Sequence, residues 1–407
     1  MNFQAQEECL CLALLLFCQK NEPFFRVIQK LAKAYGPVTG FYLGPFLPFI
    51  SVDGKKAVKE ALHNNDLNGR RPAAGRRVHS LKVEQHRRFT LRHLRDLGYG
   101  KTSIEDQMMD EISDLILDIT EAAKSDPDHL LEAKDFSETT RRLNNFVIPV
   151  PAFLVRLFPS LPSRLGLKDE LFVPIQQFIE ESIDEHVATR SKGDAPRDFI
   201  DVYLDEMEKQ LENDSTFTKK QLIASIQDLF TAGSDTSSGT IGFAVLSMIN
   251  YPSIRQKMRE ELENVCGDSL PSLAHRASLP LTVAFITEVM RMSSVAPLGI
   301  PHLAMKKTQL LGFTIPKGNP ENFRPERHLD ADGKLVKSEA FTPFGIGKRI
   351  CLGESLARNT VFLFTAALAK TFEFKSLPNK PPPSLEPTIG FVSGPQPFKA
   401  VVIPRAL

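Results

Sequence analysis

The sequence predicts a mostly helical fold with one small sheet region, and three observations carry that prediction. Apolar residues recur at helical spacing through most of the chain, as in Met108, Ile112, Leu115, Ile116 and Ile119. Strand character shows in one early segment, Val38 to Val52, rich in Phe, Val and Ile and cut by Gly44-Pro45. A proline-free span then runs from Thr218 to Pro252, long enough for a single helix of about 48 Å at about 1.5 Å per residue.

Taken in order, Phe25, Ile28, Leu31 and Ala32 predict an amphipathic helix that Gly36-Pro37 stops. The strand pair follows, then a helix over Gly54 to Asn64. Glu105 to Ala123 reads as helix, Val147 to Arg164 as a proline-broken connection, and Lys168 to Arg190 and Arg197 to Glu212 as two more helices. Thr218 and Gln221 fit a capping box opening the long helix, because each side chain satisfies the other's backbone donor. Leu281 to Met292 and Glu354 to Thr371 complete the helical set.

Hydrophobic residues at 42% and charged residues at 24% describe a globular chain with a large core. A formal net charge of +1 lacks the basic excess of a nucleic-acid binder, so no nucleic-acid partner is expected. The five cysteines are odd in number and scattered, which excludes a disulfide framework. Residues 1–23 form a short apolar N-terminal segment whose run from Cys9 to Cys18 is shorter than the roughly 20 residues that span a bilayer. Residues 24–407 are read as a single domain.

Chemistry concentrates at two motifs. In Phe344-Gly-Ile-Gly-Lys-Arg-Ile-Cys-Leu-Gly-Glu354, glycines permit positive φ and close approach to a flat ligand. The helix after Gly353 aims its positive end back at the Cys351 sulfur and favours thiolate. A core cysteine is the ordinary alternative, a catalytic cysteine would want a His general base that the sequence does not place, and no second Cys or His stands at zinc spacing. The thiolate suits a metal centre, and an axial ligand of haem iron is the reading left. Mid-helix, Ala232-Gly-Ser-Asp-Thr-Ser-Ser-Gly239 collects small and hydroxyl residues where each glycine costs about 1 kcal/mol relative to alanine. Small residues admit a planar group, and hydroxyls can bond a carbonyl one turn back and open the helix locally. A kinked buried helix satisfying its own backbone is the alternative.

The pattern F-G-x-G-x-R-x-C-x-G at 344–353 resembles the haem-binding loop of the cytochrome P-450 monooxygenases. The 232–239 run is similar to that family's oxygen-activation groove. The resemblance implies a cytochrome P-450 fold with haem b between the long helix and the cysteine loop. It implies Cys351 as iron ligand, Asp235 and Thr236 as catalytic residues in proton delivery, and cofactor contacts from Ala232, Gly233, Phe344, Gly347 and Gly353. Arg87, His302 and Arg349 match positions that meet haem propionates, although Val83 stands where the family carries the tryptophan partner of Arg87. Glu288, Arg291 and Arg327 match a structural triad that braces the cysteine loop.

The animal microsomal clan of drug- and hormone-metabolising members is the nearest likeness. It implies insertion of one oxygen atom into an apolar small molecule, with electrons from NADPH through NADPH-cytochrome P-450 reductase and with cytochrome b5 as a further partner. It also implies association with the cytoplasmic face of the endoplasmic reticulum membrane. The other cations between Arg70 and Lys101, among them Arg76, Arg77, Arg88, Arg92, Arg95 and Lys101, would steer an acidic electron donor, with a solvated helix face as the plain alternative. Relatives carry a strand and short helix after Ile315-Pro-Lys-Gly318, where this chain passes at once through Asn319 to Pro-Glu-Asn-Phe-Arg-Pro. Further gaps are read between Arg76 and Lys82 and around Arg141 to Val147. A shortened, inactive or haem-poor form is therefore one alternative function, and an electron-independent thiolate-haem isomerase or dehydratase is another.

Overall fold

The structure is a computed structural model, and it describes residues 24–43, 47–64, 67, 80–98, 104–125, 130–133, 173–191, 193, 195–210, 216–297, 299, 325–330, 332–336, 341–388 and 392–405. Ten α-helices and five strands occur among them. The N-terminal segment, His302 and the expected gaps after Gly318 and around Arg141 to Val147 lie outside the described residues, as do residues 76–79 of the third.

Two compact units divide the chain. The larger takes residues 1–71, 105–153 and 236–407, and the smaller takes 72–104 and 154–235. The larger unit opens with α1 (Phe24–Tyr35), whose Val27, Ile28 and Leu31 are buried as the periodicity predicts. Strands β1 (Val38–Leu43) and β2 (Leu47–Val52) pair antiparallel, and α2 (Lys55–His63) follows.

The core of this unit is built on α4 (Glu105–Ser125), α8 (Pro252–Cys266), α9 (Pro280–Ser293) and α10 (Glu354–Thr371). Proline at the first turn of α8 and of α9 removes an amide that would have no intrahelical acceptor. The Glu261 carboxylate then accepts from the amides of Leu281 and Thr282, both at 2.8 Å, and from the Thr282 hydroxyl at 2.7 Å. An anion placed on those orphan donors fixes where α9 begins. A three-stranded antiparallel sheet has the order β3 (Leu130–Ala133), β5 (Phe398–Pro404), β4 (Phe372–Lys375).

The smaller unit contains α3 (Ser80–Asp96), α5 (Val173–Thr189) and α6 (Phe199–Lys209). Asp198 caps α6 by accepting from the amides of Ile200 and Asp201 at 2.8 Å and 3.2 Å. That cap starts the helix at Phe199, two residues after the expected Arg197. Tyr203, Phe199 and Phe217 pack with Ile179 and Ile183 into its core.

Helix α7 (Lys219–Asn250) has 32 residues, as the sequence predicts. The Thr218 hydroxyl accepts from the Gln221 amide at 3.2 Å, which is the Thr218 half of the capping box. The helix continues unbroken through 232–239, so its hydroxyls do not open it there. No helix among the described residues is long and apolar enough to cross a membrane.

Candidate functional site around the Cys351 loop

A cavity of about 200 Å³ lies in the larger unit, where four stretches of chain meet. Thr236, Ser237 and Thr240 of α7 form one wall. Ser294 to Pro297, just past α9, form another, and Thr342, Pro343 and Phe344 of the cysteine loop with Ala357 and Val361 of α10 close the remainder. The chain leaves α9 sharply because Ser294, its C-cap, adopts the left-handed conformation at φ 39°. On α7 the Thr240 hydroxyl donates to the Thr236 carbonyl at 2.7 Å, so this wall threonine already spends its proton on the helix backbone.

The cysteine loop is held by its own backbone. Cys351 N–H donates to the Phe344 carbonyl at 2.9 Å, and Gly345 N–H to the Thr342 carbonyl at 3.0 Å. Gly345 and Gly347 both sit at φ 74°, a conformation that favours glycine. Their surroundings differ. A side chain at Gly345 would meet nothing within 4 Å, whereas one at Gly347 would overlap the Leu62 carbonyl of α2. Gly347 therefore serves a backbone contact with α2, besides any approach to a ligand. Gly353, at φ −92°, caps α10 and needs no glycine on conformational grounds. Arg358 lies 4.8 Å from the Phe344 ring centroid and donates to Glu354 at 2.9 Å, tying the loop to the first turn of α10.

The two charged residues that the sequence offers as a brace for this loop meet on α9. Glu288 is fully buried, and Arg291 donates to both its oxygens, Nε to Oε2 at 2.7 Å and a terminal nitrogen to Oε1 at 2.9 Å. Such a fork offsets the desolvation that burial imposes on the carboxylate. The side chain of Arg327, expected as third member, lies outside the described residues. Its neighbour His328 is buried and brings Nε2 to 3.0 Å from Glu288 Oε2.

Thr236 and Phe344 are thus gathered at one cavity, and Glu288 and Arg291 at one brace. Cys351 is exposed, and Arg349 lies half-buried in the short turn Gly347–Arg349. Asp235 is buried on α7, and burial pushes its carboxyl pKa up. Ala232 and Gly233 are exposed on the same helix, with open space beside Gly233. Gly239 instead packs against the backbone of Ser393 and Gly394, so one glycine of the small-residue run is a packing residue. Arg87 lies on α3 in the smaller unit.

Sequence reasoning missed Val295, Ala296 and Pro297, for which apolar character just after a helix end is the available signal, and it missed His328. The donor set suits the haem that the loop motif implies. One exposed sulfur sits in a loop whose Phe344 faces the cavity, with open backbone space at Gly345 and hydroxyls on the opposite wall.

Comparisons with known proteins extend this local match over the chain. The family profile described as Cytochrome P450 matches residues 128–319 and 318–402. Rat Cytochrome P450 2B2 is 33% identical, with 86% of this chain and 83% of the relative covered. Human Cytochrome P450 2C8 is 32% identical over 92% and 89% of the two chains, and dog Cytochrome P450 2D15 is 31% identical over 93% and 88%. The profile breaks into two parts where the sequence passes directly from Gly318 to Asn319. In the rat comparison 413 aligned positions take in 86% of 407 residues, about 350, so about 60 positions of the relative have no residue opposite them. With a matching profile over most of its length and relatives above 30% identity over more than four-fifths of it, the chain belongs to the cytochrome P450 family.

Proposed function

We propose that the chain is a haem-thiolate monooxygenase that takes an apolar small molecule, a steroid, hormone, fatty acid or xenobiotic, and draws its electrons from NADPH through a flavoprotein reductase. Membership of the family gives the monooxygenase chemistry and the haem. The observation that carries the rest is a single cavity with α7 hydroxyls on one wall, the Cys351 loop on another, and Val295, Ala296, Pro297 and Val361 between. Those apolar side chains exclude water and offer no partner to a charged substrate.

Haem b, when bound, supplies the iron at which dioxygen is activated. Cys351 would hold it through sulfur, with the positive end of α10 favouring the thiolate. Arg87, His302 and Arg349 are assigned to its propionates, and Ala232, Gly233, Phe344, Gly347 and Gly353 to its faces. Thr236, a residue of the cavity wall, is assigned the hydroxyl that hands on a proton. Asp235, one residue back and pushed toward the protonated form by burial, supplies it from a carboxyl oxygen. Reductase and cytochrome b5 as partners, and attachment to the cytoplasmic face of the endoplasmic reticulum membrane, belong to the same reading.

The test is the spectrum of the reduced, carbon monoxide-bound protein. A strongly red-shifted Soret band that Cys351→Ser abolishes is expected. A band at the position of histidine-ligated haem overturns the assignment of Cys351. The family positions without a counterpart here favour a second reading, a shortened form that binds haem poorly. Absence of haem from protein expressed with haem precursor decides for that reading.

A further inference from the structure

Among the described residues, one side chain outside the reading above acts directly on its machinery. His328 is buried beside Glu288, and its Nε2 lies 3.0 Å from Oε2 of that carboxylate. An ionised carboxylate only accepts, so Nε2 carries the hydrogen in this contact. Glu288 is fully buried and receives Arg291 from one side, and His328 meets the same Oε2 that Arg291 Nε reaches at 2.7 Å.

The other face of the imidazole points the consequence toward the site. The His328 ring lies 5.8 Å from the Phe341 ring, centroid to centroid and tilted by 53°. Phe341 immediately precedes Thr342, Pro343 and Phe344, which line the cavity, and the Phe344 carbonyl in turn accepts the Cys351 amide. The His328 carbonyl accepts from Val336 at 2.8 Å, which anchors the residue at its backbone as well. One side chain therefore joins the buried carboxylate of α9 to the entrance of the cysteine loop.

We propose that His328 is a positioning residue of this site: its hydrogen bond to Glu288 fixes Phe341, and through Phe341 the conformation of residues 342–351. The proposal rests on the reading of Cys351 as haem ligand only in what the loop is held for; the mechanical claim concerns the polypeptide alone. Two substitutions separate the hydrogen bond from the packing. H328Q keeps a nitrogen donor within reach of Glu288, and H328F keeps a ring against Phe341 but cannot donate.

Amide hydrogen exchange of the peptide covering 341–352 reads the loop without any cofactor. In H328F it should exchange about tenfold faster than in the parent, the effect of losing one hydrogen bond to a charged group on a local opening equilibrium. H328Q keeps the hydrogen bond but loses the ring against Phe341, so its exchange should fall between those of H328F and the parent. The fraction of the red-shifted carbon monoxide band in haem-loaded protein should follow the same order, lowest in H328F and intermediate in H328Q. Parent-like exchange in H328F overturns the proposal, and so does equal impairment in both variants. A parent protein without the red-shifted band defeats the reading of Cys351 instead, and the exchange comparison still decides the role of His328.

Discussion

Arg291 grips both oxygens of Glu288, at 2.7 Å and 2.9 Å, although the two residues stand only three apart on one helix. On an exposed helix such a pair contributes a few tenths of a kcal/mol. Glu288 is fully buried, so removing it strands a guanidinium and a histidine beside the core. Glu288→Ala is expected to cost about 3–5 kcal/mol in denaturant titration and to abolish haem loading. Glu84→Ala, which breaks the exposed 2.6 Å pair with Arg88, is expected to cost less than about 1 kcal/mol. Similar losses in the two variants would refute the assignment of Glu288 as a buried brace.

Gly345 and Gly347 share φ 74° but not their surroundings, and that difference sets an order of severity. Gly345→Ala carries the conformational cost alone, about 1 kcal/mol. Gly347→Ala adds an overlap with the Leu62 carbonyl, raising the loss to about 3 kcal/mol. Melting temperatures of the two variants check the ranking, and an equal or reversed order contradicts the α2 contact.

The same two glycines mark how far a local sequence pattern reaches. A glycine-rich loop announces unusual backbone, and the motif alone assigns Gly347 to the approach of a flat ligand. The Leu62 carbonyl that fills the space beside it lies 285 residues earlier in the chain, and no local pattern reports such a neighbour. Where the determinants are local, sequence suffices. Thr218 and Pro252 delimit α7, the spacing of Glu288 and Arg291 gives their contact, and the apolar run after Gly353 gives α10. Strands β3 and β4 have only four residues each, too few to show an alternating pattern, and β3 pairs with a strand about 270 residues further on. His328 hides beside Arg327, which matches a known pattern, while burial, which sequence does not report, picks out the histidine.

Thr236 and Thr240 line the same cavity one turn apart, and the Thr240 hydroxyl donates to the Thr236 carbonyl. Thr236→Ala is expected to retain haem while diverting NADPH consumption to hydrogen peroxide. Thr240→Val removes a backbone bond worth about 1 kcal/mol and should leave the ratio of product to NADPH within about twofold of the parent. Measuring peroxide and product together checks both. Full coupling in the Thr236 variant would remove it from proton delivery.

The smaller unit carries its own acid sensitivity. Arg197 donates to both oxygens of Asp201 at 2.6 Å and 2.9 Å, and these bonds hold the carboxyl down to about 2. Because the folded pKa lies below the ordinary value, the stabilisation is complete above pH about 4 and disappears as pH falls toward about 2. Asp201→Asn is expected to cost about 1–2 kcal/mol at neutral pH and to flatten that acid limb. Hydrogen exchange in α6 as a function of pH makes the measurement, and an unchanged acid limb would contradict the role of the Arg197 pair.

Strand β5 accepts β3 on one edge and β4 on the other, and Leu130 pairs with Val401. During synthesis β3 therefore emerges about 270 residues before the strand it needs. At roughly 5–20 residues per second, the ribosome imposes a wait on the order of 15–55 s. Through that interval its backbone donors and acceptors are open to any other extended chain, so holding factors that bind nascent polypeptides have a defined window and a defined target at residues 130–133.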